Sequence, residues 1–237
     1  EQLLVAIKEN KVTLVRQALQ EGANINYKDE NDYTALHYVS NYGLKDIFQI
    51  LIGVKGIEVN AVTNIGRTAF MMASRQNQKE IVEMFLLEVE GIEVNAADDY
   101  GSTALIEAAY YGHEEIVKMI LRDGRAEVNA AGIDGRTALI VSVSFCWSEI
   151  VKMLLDDGRT DINAADKDGN CALTQASLRD NKKVLEMLLK VEGINVDATD
   201  MLGETALITA SRKGLSELVE ILLDDGRIDL NVGDQHG

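Results

Sequence analysis

Three histidines, two cysteines and scattered carboxylates are the residues of this chain that could hold a metal or attack a substrate, and their spacing argues against both. His37, His113 and His236 are far apart in sequence. His113-Glu114-Glu115-Ile116-Val117 lacks the second histidine, four residues on, with which a zinc-protease helix grips its ion from one face. Asp166-Lys167-Asp168-Gly169 opens like a calcium loop, but its glycine comes fourth rather than sixth and no glutamate closes the site, so it reads as a turn. Cys146 and Cys171 are single and form no C-x-x-C pair, which makes them structural rather than ligating or nucleophilic. No glycine-rich phosphate loop or nucleophile elbow occurs either. The expectation is a protein that is no enzyme and holds no metal and no cofactor.

Charge narrows the partner. Lys and Arg number 23 against 39 Asp and Glu, a formal net charge of −16, whose sign opposes the phosphate attraction behind nucleic-acid binding. No nucleic acid is therefore expected as a partner. Asp156-Asp157 and Asp224-Asp225 fall near expected helix ends, where the plain reading is solvated surface and the sharper one a patch for a basic partner. The longest uncharged stretch, Thr137 to Ser148, has 12 residues, against the roughly 20 of a membrane span, so no membrane insertion is expected. Two cysteines cannot build a disulfide framework, and neither a glycosylation sequon nor a secretory leader is present; an intracellular, cytoplasmic location is expected. The chain opens on Glu1 rather than Met and stops at Gly237 where another structural unit should begin, so a longer natural protein is expected.

The elements that position all these residues repeat. Thr34-Ala35-Leu36, Thr68-Ala69-Phe70, Thr103-Ala104-Leu105, Thr137-Ala138-Leu139, Cys171-Ala172-Leu173 and Thr205-Ala206-Leu207 recur at spacings of 34, 35, 34, 34 and 34. Asn26, Asn60, Asn95, Asn129, Asn163, Asp197 and Asn231 keep the same period with the same single insertion, before Asn95. Within a unit the threonine can cap a helix, and small residues such as Ala108 and Ala109 allow close packing. A second helix follows with a broad apolar stripe, as in Ile116, Val117, Met119, Ile120 and Leu121, wide enough to need both a partner helix and the next repeat. Gly124, Gly158 and Gly226 suit the left-handed position that ends a helix.

The unit from Asp98 to Asn129 carries D-x-x-G-x-T, Ala108-Ala109, Gly112-His113, Glu115-Ile116-Val117 and Val128-Asn129, and with these the chain resembles the ankyrin repeat family over nearly its whole length. The resemblance implies a mostly α ankyrin-repeat solenoid, in which stacked helix-turn-helix units carry β-hairpin finger loops. Fingers and first helices would line the concave side. As one ankyrin repeat domain, 1–237 divides into an N-terminal capping half-repeat 1–27, full repeats 28–61, 62–96, 97–130, 131–164, 165–198 and 199–232, and the start of a further, truncated repeat at 233–237.

Departures from the family pattern are informative. The proline expected after the anchor threonine is alanine in all six repeats, and Cys171 replaces the threonine itself, so helix entry should be weakest there. The family's histidine after the anchor leucine survives only at His37, so its hydrogen bond to a neighbouring finger cannot be assumed. Cys146-Trp147 replaces Gly-His at one helix–helix turn, with Trp147 as ready to fill core as to make contact.

Function is sought where the framework repeats but the residue varies. At fingers and inner-helix ends the variable slots hold Tyr33, Tyr42, Ile65, Arg67, Tyr100, Ser102, Tyr110, Tyr111, Ile133, Arg136, Phe145, Met201 and Leu202. Aromatics and arginine dominate interface energetics, and half of the 12 aromatic residues fall in this set. The resemblance therefore implies a monomeric protein–protein interaction scaffold that binds a protein or peptide on its concave face, centred on Tyr100, Tyr110, Tyr111 and Phe145. The alternative is a targeting or autoinhibitory segment of a larger enzyme. The family's habit of asparagine hydroxylation further implies Asn95 and Asn129 as candidate substrates.

Overall fold

The computed structural model describes residues 1–233; His236 and all but the first residue of the expected further finger at 233–237 lie outside the described residues. Fourteen α-helices form among the described residues, arranged in two compact units, Glu1–Ala126 and a second beginning at Glu127.

In the first unit the helices are α1 (Gln2–Lys8), α2 (Val12–Gln20), α3 (Ala35–Tyr42), α4 (Lys45–Ile52), α5 (Ala69–Arg75), α6 (Lys79–Glu88), α7 (Ala104–Tyr110) and α8 (Glu114–Asp123). The odd-numbered helices pack on one another in sequence as an inner row, and the even-numbered ones form an outer row behind them. Helices of 7 to 10 residues are too short to be stable alone, so their apolar faces hold them. In α8, Ile116, Val117, Ile120 and Leu121 are buried while Glu114, Glu115 and Arg122 face solvent. Between the rows Phe85 meets Phe48 and Phe70 edge to face, with centroids 4.7 and 5.6 Å apart.

The second unit repeats the plan with inner helices α9 (Ala138–Ser144), α11 (Ala172–Leu178) and α13 (Ala206–Arg212) and outer helices α10 (Ser148–Asp156), α12 (Lys182–Leu189) and α14 (Ser216–Asp224). Every residue of α9 is buried, as a helix flanked on several sides requires.

Each sequence anchor has a mechanical reason. The hydroxyls of Thr68, Thr103, Thr137 and Thr205 accept the amide three residues on, closing the first turn of an inner helix. Cys171 makes no such bond, as its chemistry leads one to expect. The asparagine anchor ties one repeat to the next. Asn60 donates from Nδ2 to the Gly91 carbonyl at 2.8 Å and accepts the Glu93 amide on Oδ1 at 3.0 Å. Asn26, Asn129 and Asn163 make the same two bonds, whereas Asp197 retains only the acceptor half, from the Asp229 amide at 3.1 Å.

The fingers are turns more than hairpins. Among the described residues their arms are joined by isolated bridges, Val62 to Thr68, Ala131 to Thr137 and Ala165 to Cys171, and by single turn-closing backbone bonds such as Asp98 N–H to Ser102 O. Neighbouring fingertips are linked by single backbone bonds, Asn64 N–H to Asn31 O and Asp99 N–H to Ile65 O in the first unit, Lys167 to Asp134 and Met201 to Asp168 in the second. That approach explains the tip glycine. At Gly135, with φ +80°, a Cβ would stand 2.8 Å from the Lys167 nitrogen.

The helix–helix turn needs a left-handed residue in every repeat: Asn10, Gly43, Asn77, Gly112, Cys146, Asp180 and Gly214 all have positive φ. Cys146 therefore holds a backbone slot that glycine fills elsewhere, at φ +61°. Trp147 after it is the N-cap residue just before α10 and is 38% exposed, so it is not core. Gly124, Gly158 and Gly226 are left-handed at their helix ends.

Candidate functional site

On the inner face of the first unit, Arg67, Tyr100, Ser102, Tyr110 and Tyr111 line one open depression of about 290 Å³, together with Arg75, Asp98 and Glu107. Asp98 begins the third full repeat's finger, and its Oδ1 accepts the amides of Tyr100 at 3.0 Å and Ser102 at 2.9 Å, fixing the finger that carries both. Its Oδ2 accepts Arg67 Nε at 3.1 Å. Glu107 points from α7 into the same network and accepts Arg75 Nη1 at 3.0 Å. The Arg75 guanidinium lies over the Tyr111 ring, 4.7 Å from its centroid, and the Arg75 carbonyl accepts His113 Nε2 at 2.9 Å. Arg67 is thus a brace between repeats as well as a surface residue. Tyr100, Tyr110 and Tyr111 remain 55%, 46% and 37% exposed.

A second aromatic group lies on the same unit. Tyr38 stacks on Tyr42 at 6.2 Å and tilts against Tyr33 at 5.5 Å, and Lys8 Nζ sits 4.4 Å from the Tyr38 ring centroid. Tyr42 is exposed, but Tyr33 and Ile65 are half-buried rather than fully solvent-facing. The Tyr38 hydroxyl donates to Asp29 Oδ2 at 2.5 Å. Burial raises the Tyr38 phenol above its usual range, and the bond to Asp29 adds to this. For Asp29 burial works the other way from its hydrogen bonds, but the bonds from Tyr38, Tyr33 and Asn31 prevail and hold its carboxyl below the usual range.

His37 does bridge to the neighbouring finger. Its Nδ1 accepts the Thr34 amide at 3.1 Å, which leaves Nε2 to donate to the Arg67 carbonyl at 3.0 Å. Burial lowers the His37 imidazole below its usual range despite that bond.

On the second unit Ile133, Met201 and Leu202 are exposed at fingertips two repeats apart, and Phe145 is 42% exposed at the end of α9. Arg136 is occupied within its own unit, its Nε 3.6 Å from Asp134 and 3.5 Å from buried Asp166. Asp166 Oδ1 accepts the Asp168 and Asn170 amides, the work of a finger turn. Asp157 and Asp225 each form a fork with the arginine two residues on, at 2.7 to 2.8 Å, which holds both carboxyls below the usual range. Arg227 also reaches the Leu189 carbonyl at 2.6 Å, so Asp225 is part of the inter-repeat fastening, while Asp224 beside it is exposed.

Arg75, Asp98, Glu107, Tyr38 and Lys8 were not among the site residues chosen from sequence. Glu107 carried a signal: it is the one carboxylate in a slot that otherwise holds Tyr38, Met72, Val141, Gln175 and Thr209.

Paired helices, capped fingers and the asparagine ties define a class of stacked helical repeats, and the family model described as ankyrin repeats (3 copies) matches residues 3–98, 49–131, 77–166, 125–200 and 159–234. The chain belongs to the ankyrin repeat family. It is 45% identical over 62 residues to human ankyrin repeat domain-containing protein 49, covering 26% of each chain. To putative ankyrin repeat protein L271 of Acanthamoeba polyphaga mimivirus it is 30% identical over 77 residues, 32% of this chain and 10% of the relative. The matches thus span about a quarter and a tenth of these relatives' lengths. The crystal structure of the ankyrin repeat protein EF0377 superposes with a TM-score of 0.75 at 27% identity, over 81% of this chain and 98% of that one. Ankyrin repeats are in general protein–protein interaction modules, and the family is typically non-catalytic. Among the described residues no helix is long and apolar enough to cross a membrane.

Proposed function

We propose that this protein is a recognition module that holds a protein or extended peptide on its finger and inner-helix face, and that it acts by binding alone. The observation that carries this reading is the depression of the first unit, where Tyr100, Tyr110 and Tyr111 stay substantially exposed around two part-buried arginines. Tyrosine and arginine are the residues that supply most interface energy, because each joins a large apolar area to a directed donor at little entropic cost. Tyr42 and Ile65 extend the surface on the first unit, and Ile133, Phe145, Met201 and Leu202 offer apolar contacts on the second unit's own inner face. An intracellular setting is supported by the two thiols, Cys146 exposed and Cys171 buried, both unpaired.

The test is affinity capture of a binding protein followed by a Tyr110→Ala/Tyr111→Ala double variant. We expect at least a tenfold loss of affinity, about 1.4 kcal/mol or more. Undiminished binding by a variant with unchanged circular dichroism overturns the site.

A further inference from the structure

The same depression presents donors and hides acceptors. The side chains of Asp98 and Glu107 are 0% and 8% exposed, whereas those of Arg67 and Arg75 above them are 20% and 31% exposed. A guanidinium has five N–H donors in one plane. Arg67 spends Nε on Asp98, and its approach to Glu107, at 3.7 Å, is too long for a hydrogen bond. Arg75 spends Nη1 on Glu107 and rests its face on Tyr111. Among the described residues the other N–H groups of both guanidiniums have no protein acceptor. Asp98, by contrast, has Oδ1 taken by two backbone amides and Oδ2 by Arg67. In a chain of net charge −16 this is a small surface at which cations lie outermost.

We propose that the depression receives a carboxylate, the side chain of an Asp or Glu in the bound peptide, between the Arg67 and Arg75 guanidiniums and beside the tyrosine rings. The proposal rests on the inner face being the binding surface. A carboxylate matches the guanidinium fork, and charge-assisted bonds are about twice as strong as neutral ones. A lysine or arginine would meet two guanidiniums while both carboxylates beneath are already engaged. Glu107 acts as a positioning residue, holding Arg75 against Tyr111.

The full chain is panned with a random octapeptide library, acetylated and amidated so that terminal carboxylates play no part. We expect enrichment of Asp or Glu at one position. Replacing that acid by its amide should weaken binding about tenfold on the unaltered protein and by clearly less on Arg75→Gln, which keeps only Arg67 and whose folding is checked by circular dichroism. Selected peptides with no acidic preference, or an equal amide penalty on both proteins, overturn the carboxylate and leave the inner face intact. Selected peptides that bind Tyr110→Ala/Tyr111→Ala undiminished overturn the proposal and the binding face together.

Discussion

Arg75 donates to Glu107 at 3.0 Å across the boundary between two successive repeats, and in the same pose covers the Tyr111 ring. The Arg75 side chain thus couples a buried carboxylate to an exposed aromatic, while its backbone carbonyl holds His113 of the following turn. Removing Glu107 leaves two arginines that can turn to water, so the cost should fall below the 3–5 kcal/mol of a fully buried broken pair. Glu107→Ala is expected to lose about 2 kcal/mol in urea unfolding.

Cys146→Gly should stabilise the protein. The residue is exposed and holds φ +61°, so little packing is lost while left-handed strain of about 1–2 kcal/mol is relieved. Greater freedom of glycine in the unfolded chain offsets part of this, leaving about 0.5–1 kcal/mol. The check is a higher urea midpoint at constant slope.

Asp197→Asn should also stabilise. It restores the Nδ2 donor that Asn129 and Asn163 direct at carbonyls 30 residues ahead, a slot filled here by Arg227. One recovered hydrogen bond at a half-buried site contributes about 0.5–1 kcal/mol, read from the thermal midpoint.

Cys171→Thr should return the missing helix cap, about 1 kcal/mol. Amide exchange in α11, expected to be faster in the natural sequence than in α7 or α9, should slow to their level.

Acid should weaken the first unit through His37. Burial holds its imidazole below the ordinary value, so the unfolded chain takes the proton first and binds more protons than the folded one. Stability then rises with pH between the lowered folded value and the unfolded one of about 6.5, and is lost as pH falls through that window. His37→Ile, the residue this slot holds at Ile106, Ile140 and Ile208, should flatten the dependence between pH 7.5 and 5.

What the sequence made legible was what recurs. Thr103 caps and Asn60 ties because each repeat needs the same bond in the same place, and identical needs leave a period. The arginine–carboxylate network left little, since Arg67 meets Asp98 31 residues away, a pairing that recurs only as Arg136 with Asp166, and Arg75 meets Glu107 32 away through a carboxylate that occurs once in its column. Single carboxylates such as Glu107 are visible only as departures within a column. Cys146 was conspicuous for its chemistry, yet its slot is defined by backbone handedness, which residue type alone conceals.

The most direct measurement of the central claim is amide-exchange footprinting of the full chain with a peptide selected from the library. Binding on the inner face should slow exchange in the Tyr100–Ser102 finger, at Arg75–Gln78 and at Tyr110–His113. Protection confined to the outer helices α6 and α8, with those segments unchanged, would contradict it.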